Sequence, residues 1–346
     1  MIVNKLEPKQ ALRKEYLKVK PDRESIAAFK AHLARLLDLC DSKKDEEFNK
    51  NLLSDFLKKS FYGDRYFINT KENSDQNLLL KIKSKYISLS EYVEDKSFRG
   101  ILTGLTEAFV INKEIYSELI KKDEKSLEIV RPFILGRNIK PYAIPEAEKY
   151  LIKFEKGFTN SRRKNQEALT WLFSEYPAIC DYLNPFKDKA EKRTDKGDYW
   201  WELRACDYYQ EFEKPKIMYQ KFQVKPCFIY DDQGLYCNDS MWIISKDDKV
   251  LLAILNSNMG WWLISKYCTA IQNGYQLIWK YLGQIPIPKA TQNQSKSITS
   301  IVDKILTAKK GDRHADTTKE EKAIDDLVYQ LYGLTEEEIK IVEGER

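Results

Sequence analysis

Apolar residues recur at helical spacing near both ends of the chain and at strand spacing through its middle. Ile26, Phe29, Leu33, Leu36 and Cys40 form one helical stripe, with Asp22 placed to cap it behind Pro21. "CDSKKDEE" interrupts the stripe, and Phe48, Leu52, Phe56 and Leu57 begin a second. "YFINTKENSD" (66–75) reads as a strand running into a polar turn. "QNLLLKIKSKYISLSEYV" follows at once as a different element, so the junction is abrupt.

From about residue 99 to 290, short β-branched and aromatic runs alternate with turns. They include "GILTGLTEAFVI", "KYLIKF", "KPKIMYQ", "PCFIYDDQGLYC" and "MWIIS". Helical stretches are expected at 161–184 and 248–267, the latter on Leu251, Leu252, Ile254 and Leu255. Tyr230 to Tyr236 carries a hairpin signal, with Gly234 near the turn. "GQIPIPKA" is a proline-marked exit. No internal repeat or low-complexity run is present.

The last part is helical again. Ile298, Ile301, Val302, Ile305 and Leu306 mark one amphipathic helix, and the polar linker "KKGDRHADTT" follows it. Ile324, Leu327, Val328, Leu331 and Tyr332 then recur at i, i+3, i+4, i+7 and i+8. Gly333 supplies the left-handed residue that ends such a helix, and Thr335 with Glu338 is a capping box that starts another.

Composition narrows the class. The chain has 346 residues, 42% of them hydrophobic and 32% charged, which suits two or three packed units and not disorder. There is no apolar run of membrane-spanning length and no apolar secretory segment in the first twenty residues, so a cytoplasmic protein away from membranes is expected. Six cysteines without a C-x-x-C pair, and only His32 and His314, predict reduced thiols and no metal site. His32 itself is expected at a helix boundary.

The net charge of +5 says less than its distribution. Residues 131–230 carry 19 Lys and Arg against 14 Asp and Glu, whereas residues 311–346 carry 5 against 11. A basic, aromatic-rich middle fits either a polyanionic partner or an ordinary solvated surface.

No phosphate loop, dinucleotide turn or nucleophile elbow occurs, and no Asn/Asp-Pro-Pro-Tyr/Phe tetrapeptide. Gly100 and Gly104 in "RGILTGL" either shape a turn or let the backbone approach a phosphate or a neighbouring domain. Asp231 and Asp232, beside Gly234, are expected to form a turn. Arg162, Arg163 and Lys164 in "SRRKNQ" are either a solvated helix start or phosphate contacts.

An ordered set of motifs runs through the chain. "RGILTGLTEAFVINKEI", "IVRPFILGRNIKPY", "YLIKF", "FEKPKIMYQKF", "CFIYDDQGLYCNDSMWIIS", "LLAILNSNMGWWLI" and "YLGQIPIP" appear in that sequence. In order and spacing they resemble the TaqI-like C-terminal specificity domain, the target-recognition region of adenine-specific DNA methyltransferases and fused type IIG restriction–modification enzymes. "IDDLVYQLYGLTEEEIKIVEG" resembles the helical tail that follows that domain, which makes the acidic end a packing element. The resemblance covers about residues 80–346.

The head is similar to the start of a PD-(D/E)xK-type nuclease domain, in which Asp75 would open the metal site. No Glu-x-Lys strand follows Asp75, and no methyltransferase core follows either. One carboxylate does not hold the ion that phosphodiester cleavage needs. The resemblance therefore implies a lineage that uses S-adenosylmethionine and magnesium, and a chain that holds neither and is inactive alone.

The resemblance also implies roles. Arg137, Lys140, Arg162, Arg163, Lys164, Lys216, Lys221 and Lys225 would contact DNA phosphates. Gln220, Gln223, Gln272 and Asn273 would reach base edges, with Gln272 and Asn273 simply shaping a turn as the alternative, and Gly274 would bring its loop close to DNA. Trp200, Trp201, Trp242, Trp261 and Trp262 are assigned to the core.

The expected fold is α+β, with a short N-terminal helical segment, a mixed α/β DNA target-recognition domain and a C-terminal helical tail. The expected boundaries are 1–75 for a truncated nuclease-like head, 76–98 for a junction, 99–290 for the recognition domain and 291–346 for the tail. The expected function is sequence-specific recognition of double-stranded DNA in a restriction–modification system. The main alternative is an assembly subunit that works with a separate methyltransferase, and an active endonuclease ranks third.

Overall fold

Strand and helix patterns in the sequence resolve into short strands grouped in small sheets and a set of helices around them. The computed structural model describes residues 23–39, residue 56 and residues 70–344. The chain divides into two units, Met1–Asn77 and Leu78–Arg346. In the first, helix α1 (Arg23–Leu39) carries the stripe predicted for it. Phe29 packs on Phe56 with ring centroids 5.6 Å apart. Cys40, most of the second stripe and residues 66–69 lie outside the described residues.

Helix α2 (Thr70–Lys85) corrects the polar turn expected before Asp75, while the strand expected from residue 66 begins outside the described residues. Residues 70–85 are one continuous helix. The run "NLLLKIK" supplies Leu78 and Ile82, both buried, four residues apart on one helical face.

The other helices are α3 (Lys113–Lys122), α4 (Phe158–Arg162), α5 (Ala168–Glu175), α6 (Pro177–Leu183), α7 (Lys249–Asn256), α8 (Asn258–Tyr267), α9 (Gln292–Gly311), α10 (Thr318–Tyr332) and α11 (Glu336–Glu343), with a few single turns between them. The stretch predicted at 248–267 is thus broken at Ser257, whose hydroxyl accepts from the Gly260 amide and starts α8 anew.

The strands are β1 (Ile87–Ser88), β2 (Ser97–Arg99), β3 (Val110–Asn112), β4 (Val130–Ile134), β5 (Lys149–Ile152), β6 (Lys216–Gln220), β7 (Phe222–Gln223), β8 (Phe228–Asp231), β9 (Tyr236–Cys237), β10 (Met241–Ile244), β11 (Thr269–Ile271), β12 (Gly274–Gln276) and β13 (Pro286–Ile287). They form sheets of order β1-β13, β2-β10-β6-β8, β11-β12-β7 and β3-β5-β4-β9.

The β2-β10-β6-β8 sheet divides two cores, and period-2 alternation decides which residue joins which. Ile217, Tyr219, Phe228, Tyr230 and Ile244 join one core, with α7, α8 and the C-terminal helices. Met218, Ile229, Met241 and Ile243 join the other, with β3, β4, β5, α5 and α6. Leu78, Ile82, Leu89 and Val93 from 76–98 lie in the first core, as do Ile324, Val328 and Tyr332 of the tail.

The tail matches its local signals. Gly333 has φ +64 and closes α10, and Thr335 and Glu338 form the reciprocal capping box. Its acidic groups have structural partners. Lys81 donates to both Glu338 carboxylate oxygens at 2.7 and 2.8 Å, and the Tyr332 hydroxyl donates to the Pro286 carbonyl at 2.8 Å.

The "YDDQGLY" hairpin is corrected. β8 pairs with β6, whereas β9 pairs in parallel with β4, so the turn carries the chain from one sheet to another. The buried Asp231 carboxylate accepts from the amides of Gln233 and Leu235, both at 2.9 Å, which holds that turn.

Candidate nucleic-acid interface

The small three-stranded sheet β11-β12-β7 is built for exposure. β11 and β12 are joined by the two residues Gln272 and Asn273, and β12 then pairs with β7. Gln272, Asn273 and all three residues of β11 are exposed. Tyr275 packs edge-on to Trp261, with centroids 5.2 Å apart, and anchors one side of the sheet. The Leu277 amide donates to the Lys221 carbonyl at 2.7 Å and continues the pairing past the strand end.

Gln223 is not a base reader. It is 3% exposed, and its carboxamide is spent on its own loop. Its amide nitrogen donates to the carbonyls of Gln220 and Cys227 at 3.2 and 3.1 Å, and its oxygen accepts from the Cys227 amide at 2.9 Å. Three bonds lock residues 223–227, and that loop presents Val224 and Lys225 to solvent.

Lys216 is corrected in the same way. It has no exposed side-chain surface and pairs with Asp231, directly opposite in the β6–β8 register. The Phe212 carbonyl also accepts from it. A lysine buried in this way holds a sheet together and does not reach a phosphate.

The glycines approach their own chain. A Cβ on Gly274 would lie 2.0 Å from the Gln223 carbonyl oxygen, and one on Gly100 would lie 2.0 Å from that of Asn238. Gly104 has φ +69 and sits against the Asp195 carboxylate. Turn and packing needs account for all three glycines, of which Gly100 is buried, Gly274 half-exposed and Gly104 exposed.

Apart from Lys221 and Lys225 beside the small sheet, the remaining cations fall in two places. Arg162 ends α4 and Arg163 and Lys164 follow it; the helix start is held by the buried Glu202 carboxylate, which accepts from the amides of Gly157, Thr159 and Asp198. Arg162 stacks over Phe158 and pairs with Glu128 at 3.4 Å. Arg163 donates to Asn160 and to the Gln166 carbonyl. Local partners therefore occupy both arginines, while Lys164 is exposed at φ +51.

Arg137 and Lys140 are elsewhere, in a cleft of about 870 Å³ with Lys309, Lys310 and Arg313. Those last three were missed from the sequence. Lys309 and Lys310 lie in the last turn of α9, where a linker was expected, and Arg313 follows it; the basic run in "KKGDRH" was the available signal. Arg313 donates to the Asn138 carbonyl, Lys309 to the Ala315 carbonyl at 2.7 Å, and Lys140 lies 3.1 Å from the His314 ring. Arg137 and Lys310 are exposed and make no ion pair among the described residues. Glu146, Glu148, Asp232 and Asp303 share the cleft, so its charge is mixed.

Cleft and small sheet share one stretch of surface. Gly136 packs against Gln220, which leads through Lys221 into β7. At the other end of the locked loop, burial pushes the Cys227 thiol up to about 11, and the facing charges of Lys225 and Arg313 pull it back. Half-buried Gln220 thus lies between the cleft and the sheet.

Asp75 lies inside α2 and not at a strand end. Among the described residues no three His, Cys, Asp or Glu side chains gather into a metal-holding group. No helix among them is long and apolar enough to cross a membrane.

Residues 131–287, which contain the cleft's first wall and the whole small sheet, match one family model. It is the TaqI-like C-terminal specificity domain. The specificity-domain match begins in β4 and ends in β13. Residues 6–93 match a domain of unknown function, DUF7149, a match that extends across residues 75–80 and carries no nuclease description.

Two curated relatives are type II methyltransferases. M.BanIII of Aneurinibacillus aneurinilyticus is 22% identical over 60% of this chain and 37% of its own length. M.XhoI of Xanthomonas vasicola is 24% identical over 54% of this chain and 33% of its own. The chain thus spans about a third of the curated relatives it matches.

Solved structures give distant likenesses at 13% identity. The type IIL restriction–modification enzyme MmeI in complex with DNA has a TM-score of 0.48, over 71% of this chain and 34% of that one. The type IIG restriction endonuclease BpuSI has 0.44, over 87% and 38%.

Proposed function

We propose that this chain is a sequence-specific duplex DNA recognition module of a restriction–modification system. One observation carries this reading. Inside the specificity-domain match, an exposed hairpin tip of two carboxamides, Gln272 and Asn273, stands on a sheet flanked by Lys221 and Lys225. Carboxamides at a tip suit base edges, because each offers a donor and an acceptor side by side. Cations on the flanks suit phosphates, which position a protein without reading sequence. Arg137, Lys140 and Lys310 extend the basic surface from the cleft.

Methyl transfer and strand cleavage belong to other parts of such a system in this reading. In this reading the chain binds neither S-adenosylmethionine nor magnesium by itself, and the nuclease ancestry of its head rests on sequence resemblance alone. A separate methyltransferase is the partner class that would supply the chemistry.

Selection of bound sites from a random duplex library tests the function. Enrichment of a defined site by the isolated chain, with affinity falling steeply as salt rises, is the expected result. Enrichment only after a methyltransferase is added would make the chain an assembly subunit. Methylated adenine or nicks produced by the pure chain would overturn the assignment of chemistry to a partner.

A further inference from the structure

The β7-β12-β11 sheet has a packed face and an open one, and the register identifies both. Gln223 pairs with Tyr275, and Tyr275 with Ala270. Gln223 is buried and Tyr275 rests on Trp261, so these two point inward, while Ala270 at the outer end of the row is exposed. Alternation turns the next row outward. That row is Phe222, Gln276 and Thr269. Beyond the inward row the open face resumes with Ile271 opposite Gly274, and Val224 lies beside Gly274 on the other side.

Three large apolar side chains therefore share the open face. Val224 is 66% exposed, Phe222 46% and Ile271 38%. Single exposed apolar residues are ordinary, but three on one face of one small sheet mark a contact surface. Lys221 lies over the Phe222 ring at 5.3 Å, and Lys225 is exposed next to Val224. An apolar strip edged by lysines is complementary to a partner with apolar groups set between anionic ones.

The major groove of duplex DNA offers that combination. Thymine presents its C5-methyl group there, and the paired adenine presents a donor and an acceptor that suit a carboxamide such as that of Gln276. Phosphates line both edges.

We propose that the open face of this sheet reads thymine methyl groups in the major groove, through Val224, Ile271 and Phe222. The proposal rests on the DNA-recognition reading and names the bases for which that surface is selective. Its consequence is a target site with A·T pairs where the sheet lies, recognised partly by a contact that needs no hydrogen bond.

Uracil substitution isolates the methyl group. The preferred site is first selected with the whole chain. Each thymine is then replaced in turn by deoxyuridine, which lacks only the C5-methyl, and affinity is measured at fixed salt. At one or more positions the affinity should fall about fourfold, the equivalent of one buried methyl-sized group. In the Val224→Ala, Ile271→Ala double variant the thymine and uracil duplexes should bind alike, with the salt slope unchanged. Both side chains are solvent-facing, and a urea melt checks that the variant is folded. Equal binding of thymine and uracil duplexes by the wild-type chain at every position overturns the proposal. So does a selected site without an A·T pair, or full discrimination retained by the double variant. A chain that selects no site overturns the recognition reading itself, and the proposal with it.

Discussion

Ten residues, "KIMYQKFQVK" from Lys216 to Lys225, pass through two sheets of opposite character. β6 lies in a sheet covered on both faces, and β7 in a sheet covered on one. Lysines and glutamines occur in both strands or beside them, yet their fates differ. Lys216 is sealed against Asp231, while Lys225 faces water. Gln223 is spent on its loop, while Gln272 stands at an exposed tip of the same small sheet. Residue type states what a side chain can do. Which face of which sheet it lands on decides what it does.

Breaking the buried pair should give the largest effect. Lys216→Met leaves the Asp231 carboxylate uncompensated in the interior, which typically costs about 3–5 kcal/mol. Urea denaturation should show a midpoint well below wild type. Adding Asp231→Asn should recover part of the loss, because it removes the buried charge while its one carboxamide oxygen still accepts from one of the Gln233 and Leu235 amides, which reach different Asp231 oxygens. A Lys216→Met chain as stable as wild type would place this lysine with the surface cations after all.

This contrast explains what was legible in the sequence. The strand β6, the amphipathic helices and the tail's glycine stop and capping box are local, and period and cap chemistry revealed them. The partner of a strand is not local. "YDDQGLY" has the composition of a hairpin, but Asp231 is claimed by Lys216 across the sheet, and the chain leaves for β4. The polar turn expected after residue 66 likewise gave way to a helix that buries Leu78 and Ile82. The exposed turn at Gln272 and Asn273 was legible because it is self-contained. Lys309, Lys310 and Arg313 were missed because only the fold brings "KKGDRH" beside Arg137 and Lys140.

On the open sheet the expected effects are on binding and not on folding. Replacing Gln272 and Asn273 together by Ala should lower the preference for the selected site by about 1–3 kcal/mol while leaving the salt slope intact. Competition between specific and random duplexes measures it. Unchanged preference would make the tip a plain turn and move base reading to the strip of Phe222, Val224 and Ile271.

The two cation groups sharpen the comparison further. Arg137 and Lys310 are not committed to ion pairs among the described residues, whereas Arg162 and Arg163 are held by Glu128, Asn160 and Gln166. Changing Arg137 and Lys310 to Ala should reduce the slope of log affinity against log salt by about 2, since each phosphate left without its cation removes roughly 0.9. The Arg162→Ala, Arg163→Ala chain should change it less. Equal changes would show that the α4 arginines release their local partners on binding DNA.

The smallest effect concerns how the open sheet is moored. Helix α8 leads directly into β11, and its first turn is held by Asp325 of the tail. The Asp325 carboxylate accepts from the Asn258 amide at 2.7 Å and from its side chain at 3.0 Å. Burial raises this carboxyl to about 6, the Asn258 amide opposes the rise, and Glu343, Asp326 and Glu321 add to it. In the unfolded chain an aspartate titrates near pH 3.9. Between about pH 4 and 6 the folded state thus holds a proton that the unfolded state has lost. The unfolded state binds fewer protons there, so this group's contribution to stability falls as pH rises through that window and is level above it. Asp325→Asn keeps an acceptor for the Asn258 amide and removes the titration. The difference in melting temperature, variant minus wild type, should therefore climb from pH 4 to pH 6 and then flatten. A difference that is constant across that range would mean the Asp325 carboxyl titrates as it does in water, and that the mooring of α8 is indifferent to its charge.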